Sequence, residues 1–143
     1  MKNGASESEA AYLLDTSALL TLIEAEPGAD RVEQLLRKHR VLLPFVVLLE
    51  IFYLSLQEQG EEVANVRYAM LKALDVMFLN EVTELVLLRA AQLKAYARIS
   101  LADAIIAAFA AEHEAVLVHK DPEFETVKDQ LRLEALPYKA KKR

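Results

Sequence analysis

Residues 11–28 read AYLLDTSALLTLIEAEPG, and this stretch decides the architecture. Ala11–Leu14 is a short apolar run bounded at once by Asp15-Thr16-Ser17, as expected of a buried strand. The polar triplet suits a helix start, and apolar residues then recur through a helix predicted over 18–26. Pro27-Gly28 stops that helix. A strand feeding straight into a helix, with an acid at the junction, belongs to the alternating α/β class.

The same alternation continues outward. A helix is predicted over 30–40 from Val32, Leu35 and Leu36, and a strand over 41–43. Pro44 suits the first turn of a helix running to Gln59, with Gly60 as its stop. Further helices are expected over 61–74, 81–96 and 100–114, with strands at 76–79 and 115–119. A short helix at 122–131 and an edge strand at 133–136 complete the pattern. Strands separated by helices imply a parallel sheet covered on both faces. Ligands of such sheets bind beyond the carboxyl ends of the strands, where Asp15 and Asp121 fall.

Bulk properties narrow the function. The 143 residues suit one domain, and 54% apolar content supplies a core with some surplus for a subunit interface. Three Gly and four Pro favour long regular elements, and the lack of Cys excludes disulfides, thiolate metal sites and a Cys nucleophile. The longest apolar stretch, 41–56, is too short for a membrane span and carries Pro44, Glu50 and Ser55. Residues 1–10 read as a polar leader without a signal-peptide core, so a cytoplasmic protein without a membrane role is expected. The net charge of −5 argues against a general nucleic-acid binder, although residues 139–143 (KAKKR) form a basic tail. The domain is expected over 11–138.

Four acids stand in expensive places. Glu50 sits within PFVVLLEIFYLSL, with Val46, Val47, Tyr53 and Leu54 as its helical neighbours. Burying it unpaired would cost several kcal/mol, so it snorkels, pairs with an Arg, or serves a site. Asp103 shares a face with Ile106, Ala107 and Ala110, yet Ser100-Leu101-Ala102-Asp103 also matches a capping box. Asp15 suits a helix N-cap, and Asp121-Pro122 a turn. Singly, each acid has an ordinary structural explanation. Together, at strand ends and on apolar helix faces, they would converge and repel unless a cation neutralised them. A hard divalent ion suits an oxygen-only set, and water activated by it would hydrolyse a phosphodiester.

LLDTSALL, the lone Glu50, ISLADAIIAAFA and LVHKDPEF together resemble the four motifs of PIN domains, and most of all those of VapC-type toxins from toxin–antitoxin pairs. The resemblance runs from about Tyr12 to Leu136. It implies a three-layer α/β/α sandwich on a four- to five-stranded parallel sheet, and an endoribonuclease using Mg²⁺ or Mn²⁺. Asp15, Glu50, Asp103 and Asp121 would be the metal-binding catalytic acids. Thr16 or Ser17 would orient Asp15 or touch a metal water, and Glu123 would be an outer ligand. His119 stands where many members carry Thr or Ser. It and Lys120 are either a buried strand residue and a surface charge, or phosphate contacts.

The resemblance also implies RNA as substrate, a small antitoxin as partner, and a homodimer or higher homo-oligomer. An antitoxin segment would lie along the 45–56 helix and the helix before it, although Phe52, Tyr53, Tyr68 and Phe78 also read as plain core. The alternatives are a PIN-fold binding or assembly module and a housekeeping RNA-processing nuclease. A haloacid-dehalogenase phosphatase would need an acid at Ser17, and a receiver domain an acidic pair near the first strand.

Overall fold

The computed structural model describes residues 10–139; the expected leader, apart from its last residue, and the basic tail beyond Lys139 lie outside the described residues. In chain order the elements are β1 (Tyr12–Leu14), α1 (Thr16–Ile23), α2 (Ala29–Lys38), β2 (Val41–Pro44), α3 (Phe45–Gln59) and α4 (Glu61–Lys72). They continue with β3 (Met77–Leu79), α5 (Glu84–Tyr96), α6 (Leu101–Glu112), β4 (Val116–His119), a 3₁₀ helix (Pro122–Val127) and β5 (Leu133–Ala135). Every strand pairing is parallel, in the order β3-β2-β1-β4-β5, and the helices flank the sheet as an α/β/α sandwich.

That order explains where a site can form. From β1 the chain steps outward to β2 and β3, then returns across the sheet to place β4 on the other side of β1. The connections after β1 and β4 therefore diverge, opening a crevice at their carboxyl ends. Tyr12, Leu13 and Leu14 pair with Val116, Leu117 and Val118, so Asp15 and the His119–Asp121 segment emerge side by side.

Burial follows from the two-sided sheet. Leu13, Leu14, Leu42, Leu43, Leu117 and Val118 are all buried, because parallel strands covered on both faces have no wet side. Each fully buried leucine contributes roughly 1.5–3 kcal/mol of transfer free energy. On α6, Ala104, Ala107, Ala108 and Ala110 are fully buried, and small side chains permit a close approach there.

Several boundaries differ from those expected, for local reasons. Asp15 is itself the cap, so α1 starts at Thr16 rather than Ala18. Pro44 ends β2 in extended geometry, paired with Leu79, and the helix starts at Phe45. Thr83 accepts the Val86 N–H at 3.2 Å, which delays α5 to Glu84. The segment after Pro122 tightens into 3₁₀ geometry and ends at Val127.

The chain beyond β5 returns to the carboxyl end of the sheet. Leu136 N–H donates to His119 O at 2.7 Å. A Cβ on Gly28 would lie 3.2 Å from both Leu136 and Pro137, and its φ of +105° suits glycine. The Pro27-Gly28 turn thus accepts this last segment closely. No helix among the described residues is long and apolar enough to cross a membrane.

Candidate metal centre

Asp15 closes β1 and opens α1. Its N–H donates to Val118 O at 3.1 Å, and its carboxylate caps α1 by accepting the Ala18 N–H at 2.7 Å. Ser17 Oγ lies 2.8 Å from both carboxylate oxygens and itself accepts the Lys120 N–H at 2.8 Å. One serine therefore ties Asp15 to the strand end that carries Asp121. Asp15 is only 2% exposed. Burial pushes its pKa from 3.8 up to about 8; the Ala18 and Ser17 hydrogen bonds oppose the rise, and Asp103 and Asp121 add to it.

Glu50 arrives half-buried from α3, where Thr16 Oγ1 donates to Oε1 at 2.6 Å. Thr16 and Ser17, adjacent in sequence, thus hold different carboxylates. The apolar neighbours of Glu50 do not all belong to the core: Leu49 and Tyr53 are 54% and 40% exposed. The helix has a solvent-facing side that is apolar at Leu49, Tyr53 and Leu56 and polar from Gln57 onward.

Ser100 Oγ accepts the Asp103 N–H at 3.1 Å and caps α6. This cap leaves the Asp103 carboxylate in the crevice, partly buried. Burial pushes its pKa from 3.8 to about 7, with repulsion from Asp121, Glu50 and Glu123 adding to the rise. Asp121 caps the 3₁₀ helix through the Glu123 N–H at 3.0 Å. One oxygen from each of Asp103, Asp121 and Glu123 lies within 4.8 Å of the others. Asp103 is thus the hub, interacting with the other four acids.

His119 and Lys120, the two residues weighed as phosphate contacts, each have partners within the fold. His119 is 0% exposed, its Nδ1 accepts the Asp121 N–H at 3.3 Å, and its ring meets Phe124 and Tyr138. Burial lowers its pKa, so it is a neutral buried strand residue. The Lys120 side chain, 5% exposed, reaches the Pro27 carbonyl at 3.1 Å and Glu26 at 3.6 Å. It fastens the turn after α1 rather than facing solvent. Among the apolar residues weighed as core, Phe52 meets Tyr68 edge to face, and Tyr68 stands 41% exposed.

The Thr16–Glu50 bridge spans 34 positions and carries no local sequence signal. Ser17 as a link to Lys120 was equally hidden, though a hydroxyl two residues after a buried acid was a hint. The arrangement suits a hard divalent ion: its donors are all oxygens, three of them converge, and the buried fourth acid would hold its proton near neutral pH without a cation.

Comparison with known proteins places the fold. VapBC2 from Rickettsia felis, solved bound to a DNA fragment from its promoter, superposes with a TM-score of 0.72 and 19% identity over 89% of this chain and 99% of that one. DNA-bound VapBC from Salmonella typhimurium gives 0.69 and 18%, over 89% of this chain and 98% of that one. VapBC-1 from nontypeable Haemophilus influenzae gives 0.67 and 27%, over 87% and 97%. No curated protein matches the chain in sequence. The PIN domain profile matches residues 12–130, most of the chain, and the chain belongs to the PIN domain family of nucleases.

Proposed function

We propose that this chain is a Mg²⁺- or Mn²⁺-dependent endoribonuclease and the toxin of a VapBC-type pair, cleaving single-stranded RNA to leave 5′-phosphate and 3′-hydroxyl ends. The observation that carries the reading is the meeting of Asp103, Asp121 and Glu123 oxygens beside the buried Asp15. Asp15, Asp103, Asp121 and Glu50 would hold the ion, with Glu123 joining Asp103 and Asp121 on the exposed side. A divalent ion bound there supplies Lewis-acid activation of water and neutralises charge at the scissile phosphate. The chain's own part is orientation. Ser17 and the Ala18 N–H fix Asp15, Thr16 fixes Glu50, and the 3₁₀ turn fixes Asp121. Groups so held need little reorganisation when substrate arrives.

A small antitoxin as partner is supported by the solved relatives, which are VapBC structures. Leu49, Tyr53 and Leu56 stand exposed on α3 and offer the apolar surface that an antitoxin or a second copy would cover. Purified protein incubated with unstructured RNA should cleave it with Mn²⁺ and fall silent with EDTA or as Asp103→Asn. Cleavage that persists under either condition contradicts the metal mechanism. Expression without a partner should slow growth, and unimpeded growth with active protein present contradicts the toxin role.

A further inference from the structure

Beside the carboxylates lies a cavity of about 330 Å³, near the lower end of the roughly 300–1,000 Å³ usual for small-ligand clefts. Ser17 and Asp121 line it, so it shares a wall with the acid site. Its apolar lining comes from Leu20, Pro122 and Tyr138. Tyr138 donates its hydroxyl to Glu125 at 2.8 Å, and its ring leans on the buried His119 with centroids 6.1 Å apart. An aromatic plane is therefore held at the cavity with little freedom to swing.

The charges around this cavity decide what enters it. Glu26 pairs with Lys139 at 3.0 Å and with Lys120 at 3.6 Å, and Glu24 joins them in the lining. Both ammonium groups are already paired with Glu26, and Glu24 adds further negative charge, so among the described residues the cavity offers no spare cation to a phosphate. A flat, neutral heterocycle needs none. Its faces stack on apolar and aromatic groups, carboxylates accept its N–H groups, and ammonium groups donate to its ring nitrogens and carbonyls.

We infer that this cavity takes one unpaired nucleobase of the RNA, next to the phosphodiester held at the carboxylates, with Tyr138 as its stacking platform and Glu26 and Lys139 reading its edge. The inference rests on the ribonuclease reading above and adds to it a specificity determinant. A base locked in a duplex cannot stack there, so the site selects single-stranded RNA.

The test uses the full chain in EDTA, titrated with each of the four ribonucleosides and separately with inorganic phosphate, followed by NMR. At least one ribonucleoside should shift the Tyr138 ring and Lys139 signals, and phosphate should not. Tyr138→Leu should weaken that binding about tenfold, the scale of one stacked base, while Tyr138→Trp retains it. In cleavage assays Tyr138→Leu should raise KM about tenfold with kcat held, the signature of lost uniform binding. The inference is overturned if no ribonucleoside moves those signals, if phosphate alone occupies the cavity, or if folded Tyr138→Leu keeps its KM. Nucleoside binding needs neither metal nor cleavage. Its persistence in a protein that cuts no RNA would strike the nuclease reading and support the base subsite.

Discussion

The acid site has two halves built in different ways. Asp15 and Asp121 follow the ends of neighbouring parallel strands, with Glu123 on the 3₁₀ turn just after, and hydrogen bonds lock the first two in place. Ser17 grips both oxygens of Asp15 and the Lys120 N–H, and Asp121 caps its own turn. Glu50 and Asp103 come from helices across the crevice. Glu50 is held there by Thr16, and Ser100 meets both the Asp103 backbone N–H and, more weakly, its carboxylate, which otherwise faces other acids. The strand-end half is preorganised by topology, whereas the helix half depends on tertiary packing and on whatever neutralises it.

The largest effect should come from the centre of the rigid half. Asp15→Asn keeps the shape and removes the charge, and should lower RNA cleavage by more than the roughly 10–100-fold cost of losing an outer-shell partner. Steady-state cleavage rates check it; activity within a few-fold of wild type would show that the strand-end acid is not essential.

The supporting hydroxyls set the two halves directly against each other. Ser17→Ala leaves Asp15 held by the Ala18 N–H alone and the Lys120 N–H without its acceptor, so Mn²⁺ affinity should fall on the order of 10-fold or more. Thr16→Val releases only Glu50, and its effect should be smaller, about 10-fold at most. Calorimetric titration of both variants compares them, and a larger loss for Thr16→Val would reverse the assignment of rigid and dependent halves.

The smallest effect is on stability without metal. Folded Asp15 keeps its proton to about pH 8, whereas its ordinary value is 3.8. The native state therefore binds the extra proton through that window, and stability falls as pH climbs from about 4 to 8. Asp103, raised to about 7, acts in the same direction. Melting temperature of the metal-free protein should decline between pH 5 and 8, and Asp15→Asn should flatten that decline. A slope unchanged by the substitution would show that Asp15 ionises normally.

The same division explains what could be read in the sequence. Asp15 and Asp121 follow apolar runs, so their strand-end position was legible once the alternation of elements was recognised. Glu50 was conspicuous among apolar neighbours, although its helix exposes Leu49 and Tyr53 rather than burying them. Asp103 had a ready explanation in the Ser100 cap, and the cap does exist; its bond runs from the backbone N–H, and the carboxylate still faces the other acids. Glu123, expected as an outer ligand, stands within the compact oxygen cluster because the 3₁₀ turn brings it beside Asp121. His119 and Lys120 were open because their surroundings come from distant chain. Tyr138 covers the imidazole, and the Pro27-Gly28 turn receives the ammonium group.

The central claim is that these carboxylates are gathered to bind a divalent cation, and titration of metal-free protein with Mn²⁺ at pH 7 tests it without any RNA. The wild type should bind with measurable heat and release protons as Asp15 and Asp103 ionise, and folded Asp103→Asn should lose most of that affinity. Absence of Mn²⁺ binding by folded wild-type protein, or equal binding by Asp103→Asn, would contradict the account.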